Sequence, residues 1–458
     1  MSKRIFILTI IFLFITTMGF GCKGLSTAEI ASVKPLTLNY WTVYNNVDIL
    51  EDYANEYKTK RPYVTINIRK VRADEFDKLF LNALADDVPP DIISVSAREL
   101  PKYLSRLAPM PETVDVSRIY KKGQYFEETV VETEQITMPT ARYVKSEYVG
   151  TVYDDAVVGG KIYGLPLAMD DLAVFYNKGL LDKAGIPEPP KDWGAFMEAV
   201  KAISKIDSEG NLLQSGVALG TGNNIENVFD ILTLFMVQSG VKMSQSGQVT
   251  FANGLNANNY NDSPVVKALN FYVDFARPNK EVYSWNNKQK DALDEFARGK
   301  TAFYFGFAYE LPTIKSRAPQ MNLEVIPMFQ LNEETSINVA NYWLESVVKK
   351  SKKQNEAWDF VQFITNADKV KDYVKKTGRP TPFRAQIEEQ KKEVLLAPFV
   401  SQILNAGNWY RGKDYATAQK AIKDLVEKYG APYTGKKQED TYRMDLIENA
   451  ARTIQQTL

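Results

Sequence analysis

The chain has 458 residues, and its 56 Lys and Arg balance 56 Asp and Glu, so its formal charge is zero. It contains no His and one Cys, which excludes His-based triads, His metal sites and a disulfide scaffold. Without a basic excess to neutralise phosphates, we expect no nucleic-acid partner, and the length predicts two domains.

The N-terminus is typical of a secretory signal. Lys3 and Arg4 precede the apolar run 5–15, and small residues then lead to Cys22, the order of an export signal. The run is short for a membrane span, which needs about 20 residues; an uncleaved anchor is the alternative. Cys22 resembles the acceptor cysteine of a bacterial lipobox, although lipoboxes usually have Leu where this chain has Gly19.

The first 34 residues are therefore predicted to tether the protein to a membrane. Residues 1–22 are the lipoprotein signal with its lipidation site at Cys22, and the small, polar residues 23–34 are a flexible tether. One acyl chain anchors weakly, so stable attachment needs more than one. We expect an extracytoplasmic protein, lipid-anchored on the outer face or the periplasmic side of the cell membrane.

The mature chain opens with a β-α-β-α-β pattern. Residues 35–41 alternate as a strand does, a helical pattern follows up to Pro62, and 64–71 alternate again. A second helical pattern over 73–87 leads to the short apolar run within 89–96, as in a buried parallel strand. This order predicts a doubly wound α/β domain.

Ligands of open parallel sheets lie beyond the carboxyl ends of the strands. Of the residues at those ends, we select Trp41, Tyr44 and Ser96 as candidate ligand contacts. The alternative is that they are ordinary loop residues, which we favour for Arg72, Asp74 and Arg98.

Residues 159–205 carry the most informative motifs. They contain Gly160-Lys161-Ile162-Tyr163-Gly164-Leu165-Pro166, then Tyr176-Asn177-Lys178, then Pro189-Pro190-Lys191-Asp192-Trp193. This order resembles the extracellular solute-binding proteins of ABC importers, in the large group that mostly binds sugars. The family usually has Thr before that Trp, and Asp192 substitutes for it as a helix cap.

The resemblance implies two α/β lobes, joined by hinge strands and closing on a ligand, with a type II periplasmic-binding-protein fold. It places the crossings between lobes near 168–172, 341–346 and 377–381. The first lobe then comprises 35–169 and 346–377, and the second comprises 170–345 and 378–458. A hinge needs only a few residues to absorb the change in dihedral angles.

The resemblance implies further candidate contacts at the crossings, in the turn after residues 301–305 and in long aromatic loops, where the family often lines its cleft. A sugar needs hydrogen-bonding groups at its edge and flat apolar groups on its face. We select Asp170, Tyr309, Trp343, Arg379, and Trp409 with Tyr410. Asp170 and Asp171 also suggest acid–base chemistry, but neighbouring residues in a strand face opposite ways.

The sequence thus favours a non-catalytic binding protein without metal or cofactor. We expect it to capture an extracellular carbohydrate, specifically an oligosaccharide, and to deliver it to an ABC permease. We expect a monomer. Two alternatives stay open: an exported carbohydrate-active hydrolase, which needs opposed carboxylates across the cleft, and a surface lipoprotein with an adhesive or sensor role.

Overall fold

The computed structural model describes residues 25–123, 127–332 and 335–458. The predicted signal and Cys22 lie outside the described residues. Within the predicted tether, Thr27–Ser32 form a short helix capped by the side chain of Ser26. In the part of the chain described, no helix combines the length and the apolar character needed to cross a membrane.

Strands are numbered along the chain. They are β1 (Leu36–Thr42), β2 (Val64–Lys70), β3 (Ile92–Ser96), β4 (Thr113–Lys122), β5 (Glu128–Thr137), β6 (Val157–Val158), β7 (Lys161–Ile162), β8 (Leu172–Asn177), β9 (Lys205–Ile206), β10 (Leu212–Val217), β11 (Ser244–Gln245), β12 (Gln248–Val249), β13 (Thr301–Phe307), β14 (Leu323–Pro327), β15 (Asn338–Val339), β16 (Trp343–Val347) and β17 (Ala406–Gly407).

Helices are named by their residues. After Thr27–Ser32 they are Val47–Lys60, Ala73–Ala85, Leu100–Tyr103, Ala141–Glu147, Gly150–Ala156, Lys178–Lys183, Trp193–Ile203, Val228–Gln238, Pro264–Asp274, Ala292–Ala297, Leu311–Arg317, Gln354–Thr365, Ala367–Thr377, Ile387–Gln390, Ala397–Gln402, Tyr415–Gly430 and Glu439–Gln455. Short 3-10 turns include Ala97–Glu99 and Ala308–Glu310.

The first lobe is built on a sheet of order β16-β3-β1-β2. Strands β1, β2 and β3 are parallel, and β16 runs antiparallel to β3. The sequence patterns located the three parallel strands and the helices between them, because each helix buries one apolar face against the sheet. The far strand, β16, comes from a distant part of the chain.

The second lobe is built on a sheet of order β14-β8-β13-β10-β9, in which only β10 and β13 are parallel. Trp193, at the start of the helix whose cap is Asp192, packs edge-on against Phe196 and Phe235 over this sheet. This Pro-Pro-x-x-Trp motif therefore serves packing.

Three chain segments lie side by side between the lobes. The Met169 amide donates to the Pro380 carbonyl over 3.1 Å, and the Asn341 amide donates to the Asp170 carbonyl over 2.8 Å. These contacts fall at the three predicted crossings. The lobe boundaries stay a proposal, and β16 already belongs to the first sheet from Trp343 onward, three residues before the predicted boundary at 346.

Two features differ from the sequence patterns. The sequence of residues 161–169 predicts a strand, but the segment forms only the two-residue β7 and an isolated bridge from Leu165 to Glu345. Residues 113–137, which show mixed patterns, form the antiparallel ribbon β4–β5, and it packs along the helix Gln354–Thr365.

Candidate functional site

A cavity of about 430 Å³ lies between the two lobes. On the first-lobe side it is lined by residues that follow β1, β2 and β3, because parallel strands direct their carboxyl ends to one edge of the sheet. The second lobe and the crossings close the other side. The first lobe contributes Val43, Tyr44, Ala73, Asp74, Phe76, Asp77, Ser94, Val95, Ser96, Arg98, Glu99, Lys102 and Tyr103; the rest of the lining is Glu226, Asn227, Asp230, Tyr309, Asn341, Trp343, Asp414, Tyr415, Ala416 and Gln419.

Three aromatic side chains form a continuous wall in this cavity. The ring centroids of Tyr44 and Trp343 are 4.0 Å apart, and those of Tyr44 and Tyr309 are 6.5 Å apart. Tyr44 follows β1, Trp343 begins β16, and Tyr309 lies in the turn after β13. The wall therefore joins both lobes and a crossing, and it offers flat apolar faces to a solute.

The floor of the cavity is polar. Ser94 and Ser96 come from β3, and the Ser94 hydroxyl donates to the buried carboxylate of Glu345 on β16. Asn45 donates to the same carboxylate over 2.7 Å. Burial raises the pKa of Glu345, and these hydrogen bonds oppose the rise. The network fixes β16, and with it Trp343, against β3.

Asp170 does not line the cavity but holds the turn that carries Tyr309. Its side chain is fully buried, and its two oxygens accept the backbone N–H groups of Ala308 and Tyr309, each over 2.9 Å. Burial raises the pKa of Asp170 to about 6, while Arg379 and the backbone donors oppose the rise. Asp170 is thus a positioning residue for Tyr309.

The cavity carries more negative than positive side chains. Its lining includes six carboxylates, those of Asp74, Asp77, Glu99, Glu226, Asp230 and Asp414, but only two cationic groups, those of Arg98 and Lys102. Lys102 pairs with Asp77 and, over 3.4 Å, with Glu99. Carboxylates accept hydrogen bonds from hydroxyl groups and repel anions, so the lining suits a hydroxylated solute better than an anionic one.

Arg98 joins the two lobes beside the cavity. Its guanidinium forms an ion pair with Asp230 over 2.8 Å and donates to the Tyr415 hydroxyl over 2.7 Å. Both acceptors lie at the starts of second-lobe helices. Burial raises the pKa of Asp230, and Arg98 opposes the rise.

Of the nine candidate contacts, Tyr44, Ser96, Tyr309 and Trp343 line the cavity. Arg379 is buried behind the wall, with its guanidinium carbon 5.9 Å from the Trp343 ring. Together with Asp170, it lies behind the cavity surface.

The other three candidates are placed elsewhere. Trp41 lies under the Arg69 guanidinium at 5.0 Å. Trp409 stacks on Phe229 at 5.5 Å within the second lobe. Tyr410 is buried, and its hydroxyl donates to the Thr457 hydroxyl over 3.0 Å. None of the three lines the cavity.

Sequence reasoning missed Asp230 and Tyr415, and it treated Arg98 as an ordinary loop residue. Arg98 follows a predicted strand end, which was the available signal. Asp230 lies in an otherwise apolar helix in which eight of the eleven residues are buried apolar or Thr side chains, so its charge was itself a signal. Nothing local distinguishes Tyr415, which begins a helix.

A larger cavity, of about 620 Å³, lies outside the cleft, between the β4–β5 ribbon and the helix Gln354–Thr365. Its buried Arg61 is already paired with Asp359 and Glu134. Because it involves one lobe only, closure of the lobes does not enclose it, and the interlobe cavity is the better candidate. Among the described residues, no group of three or more side chains is arranged to hold a metal ion.

The sequence profile of bacterial extracellular solute-binding proteins matches residues 52–397. The chain is 27% identical to a putative binding protein of Brucella abortus over 244 residues, which are 51% of this chain and 54% of that protein. It thus spans about half the length of that relative. It is 22% identical to the multiple sugar-binding protein of Streptococcus mutans over 391 residues, 85% of this chain and 84% of that protein.

The fold is also similar to that of a solved structure, the cyclic α-maltosyl-1,6-maltose binding protein from Arthrobacter globiformis. The TM-score is 0.68 at 17% identity, and the match covers 92% of this chain and 99% of that one. The family match extends over most of the chain and includes β2, β3, β16 and the three predicted crossings, whereas β1 and the helix Tyr415–Gly430 lie outside it. The chain belongs to the bacterial extracellular solute-binding proteins.

Proposed function

We propose that the protein is the sugar-binding component of an ABC importer. It captures an extracellular carbohydrate, with an oligosaccharide as the preferred solute, between its lobes and passes it to a membrane permease. It alters no bond of the solute, and it acts as a monomer.

The observation that carries this proposal is the composition of the cavity. The wall of Tyr44, Trp343 and Tyr309 offers faces for the C–H surface of a sugar ring. Carboxylates and the Ser96 hydroxyl line the same cavity and suit the hydroxyl groups at the sugar's edge. The same combination gives little to a purely apolar solute, which leaves buried acceptors without donors.

The relatives support the same solute class. The Streptococcus mutans relative is named for binding multiple sugars, and the Arthrobacter globiformis structure for binding cyclic α-maltosyl-1,6-maltose. Because their sequence identity to this chain is low, the particular sugar has to be identified by experiment.

The membrane tether is part of the proposal. Export followed by lipidation of Cys22 keeps the protein on the outer face or the periplasmic side of the cell membrane, close to its permease. Mass spectrometry of the protein from membranes tests it: an N-terminal acylated Cys22 is expected, and a peptide that starts upstream of residue 22 contradicts it.

A thermal-shift screen of the chain without residues 1–22 tests sugar binding. The panel contains maltotetraose, other neutral oligosaccharides, peptides and polyamines. A sugar at about 100 times its Kd should stabilise the fold by about 2.7 kcal/mol, and the same sugar should be recovered unchanged. Hydrolysis of a chromogenic glycoside would favour the hydrolase alternative, and no shift with any solute would favour the adhesive or sensor role.

A further inference from the structure

We propose that Arg98 is a buried latch that holds the two lobes together across the cavity. It also positions Asp230 and Tyr415 in the lining of the cavity. This role goes beyond solute capture and does not depend on which solute is captured.

The contacts of Arg98 reach four residues outside its own lobe, in three stretches of the chain near residues 230, 340 and 408–415. Besides Asp230 and Tyr415, its Nε donates to the Asn408 side-chain oxygen over 3.0 Å and to the Ala340 carbonyl over 3.2 Å. Arg98 itself belongs to the first lobe, in the turn directly after β3. A single side chain therefore connects the first lobe to a crossing and to two helix starts of the second lobe.

The latch is shielded from water. Arg98 is 4% exposed and Asp230 is 5% exposed, so their attraction is screened far less than that of a surface pair. Removing one partner of such a pair leaves an uncompensated buried charge, which is strongly unfavourable. The lobes can therefore separate only if the Arg98–Asp230 pair breaks or if water reaches both charged groups.

A second set of contacts strengthens the same connection. Asp155, in the helix Gly150–Ala156 on the first-lobe side, accepts from Asn408 and from Arg411, each over 2.8 Å. Asn408 thus contacts Asp155 with its amide nitrogen and Arg98 with its oxygen. The loop after β17 was predicted to reach the cleft through Trp409 and Tyr410; its neighbouring polar residues make the interlobe contacts.

All of these groups belong to the protein, so the latch acts without any solute. It favours the closed arrangement in the absence of sugar, and it brings Asp230 and Tyr415 to the cavity before a sugar arrives. If a solute binds only the closed form, its apparent affinity is proportional to the fraction of the protein that is closed. Lysine cannot replace Arg98, because an ammonium lacks the planar fork that reaches several acceptors at once.

Small-angle X-ray scattering of the purified protein, with no sugar added, tests the latch. A compact chain of this length has a radius of gyration of about 22 Å. We expect R98A and R98K to have larger radii than the wild type. R277A is the matched control, because Arg277 forms an ion pair with Asp274 inside the second lobe, over 3.0 Å, and its radius should stay that of the wild type.

D230N is a second variant that keeps the experiment informative if the Arg98 variants fail to fold. The amide has the size of the carboxylate but removes the charge, so the lobes should again separate while circular dichroism shows an intact fold. Equal radii for wild type, R98K and D230N, all folded, would overturn the latch. Because no sugar is present, that result leaves the proposed function untouched, whereas an unresponsive sugar screen leaves the latch untouched.

Discussion

Glu310 should make the protein less stable as the pH rises, and Glu310→Gln should remove that loss. The Glu310 side chain is buried beside the Tyr309 turn, where it accepts from the Tyr304 hydroxyl over 2.7 Å and from the Phe307 amide over 2.8 Å. A glutamine oxygen can accept from the Phe307 amide, and its NH₂ group can donate to the Tyr304 hydroxyl after that hydroxyl rotates. The substitution thus keeps the contacts and removes only the charge.

The size of the effect follows from the pKa of Glu310. Burial, with a smaller contribution from Asp170, raises this pKa from an ordinary 4.5 to about 7. Between these values the unfolded chain releases its proton while the folded chain keeps it, so stability falls with rising pH. The loss begins near pH 4.5 and is complete above pH 7, where it amounts to about 3 kcal/mol.

Urea denaturation from pH 4.5 to 8.5, followed by tryptophan fluorescence, measures the difference in unfolding free energy between E310Q and the wild type. This difference should be near zero at the acid end and should grow to about 3 kcal/mol in favour of E310Q at the alkaline end. The control is E281Q, because Lys201 lowers the pKa of the exposed Glu281, so this variant should show no such growing gain. A difference that does not change with pH would refute the reasoning.

Three further outcomes are expected. W343A should weaken sugar binding by about 2 kcal/mol, roughly 30-fold in Kd, by titration calorimetry, whereas W409F should bind like the wild type; equal losses would contradict the proposed wall. D170N places an amide NH₂ group where the Tyr309 N–H needs an acceptor. This variant should therefore lower the unfolding free energy by about 1–3 kcal/mol and weaken sugar binding. An unchanged affinity for sugar would show that Asp170 does not position Tyr309. G216A should destabilise the second lobe by about 1–3 kcal/mol, measured by urea denaturation. The reason is that the Cβ of the new alanine would lie 2.6 Å from a carbonyl oxygen of the helix Trp193–Ile203. A stability equal to that of the wild type would count against this close packing.

The sequence by itself determined the opening β-α-β-α-β elements of the first lobe. Alternation with a period of two predicted β1 and β2, and helical spacing predicted the helices between the strands. Because parallel strands end at one edge, the same patterns placed Tyr44 and Ser96 at the cavity. The ordered motifs of residues 159–205 indicated the family, which the match over 52–397 shows.

The tertiary structure alone decided which side chains face the cavity. Trp41 and Tyr44 are close in sequence, but Trp41 packs under Arg69 of β2 while Tyr44 meets Trp343. Likewise, Trp409 turns into the second lobe. Local patterns report the period of an element and its apolar side, whereas the direction of a loop side chain and the pairing of Arg98 with Asp230 depend on segments far away in the chain. These distant segments meet only when the chain folds, within one lobe for Trp41 and Trp409 and between the two lobes for Arg98, and the contacts that orient the side chains do not exist before then.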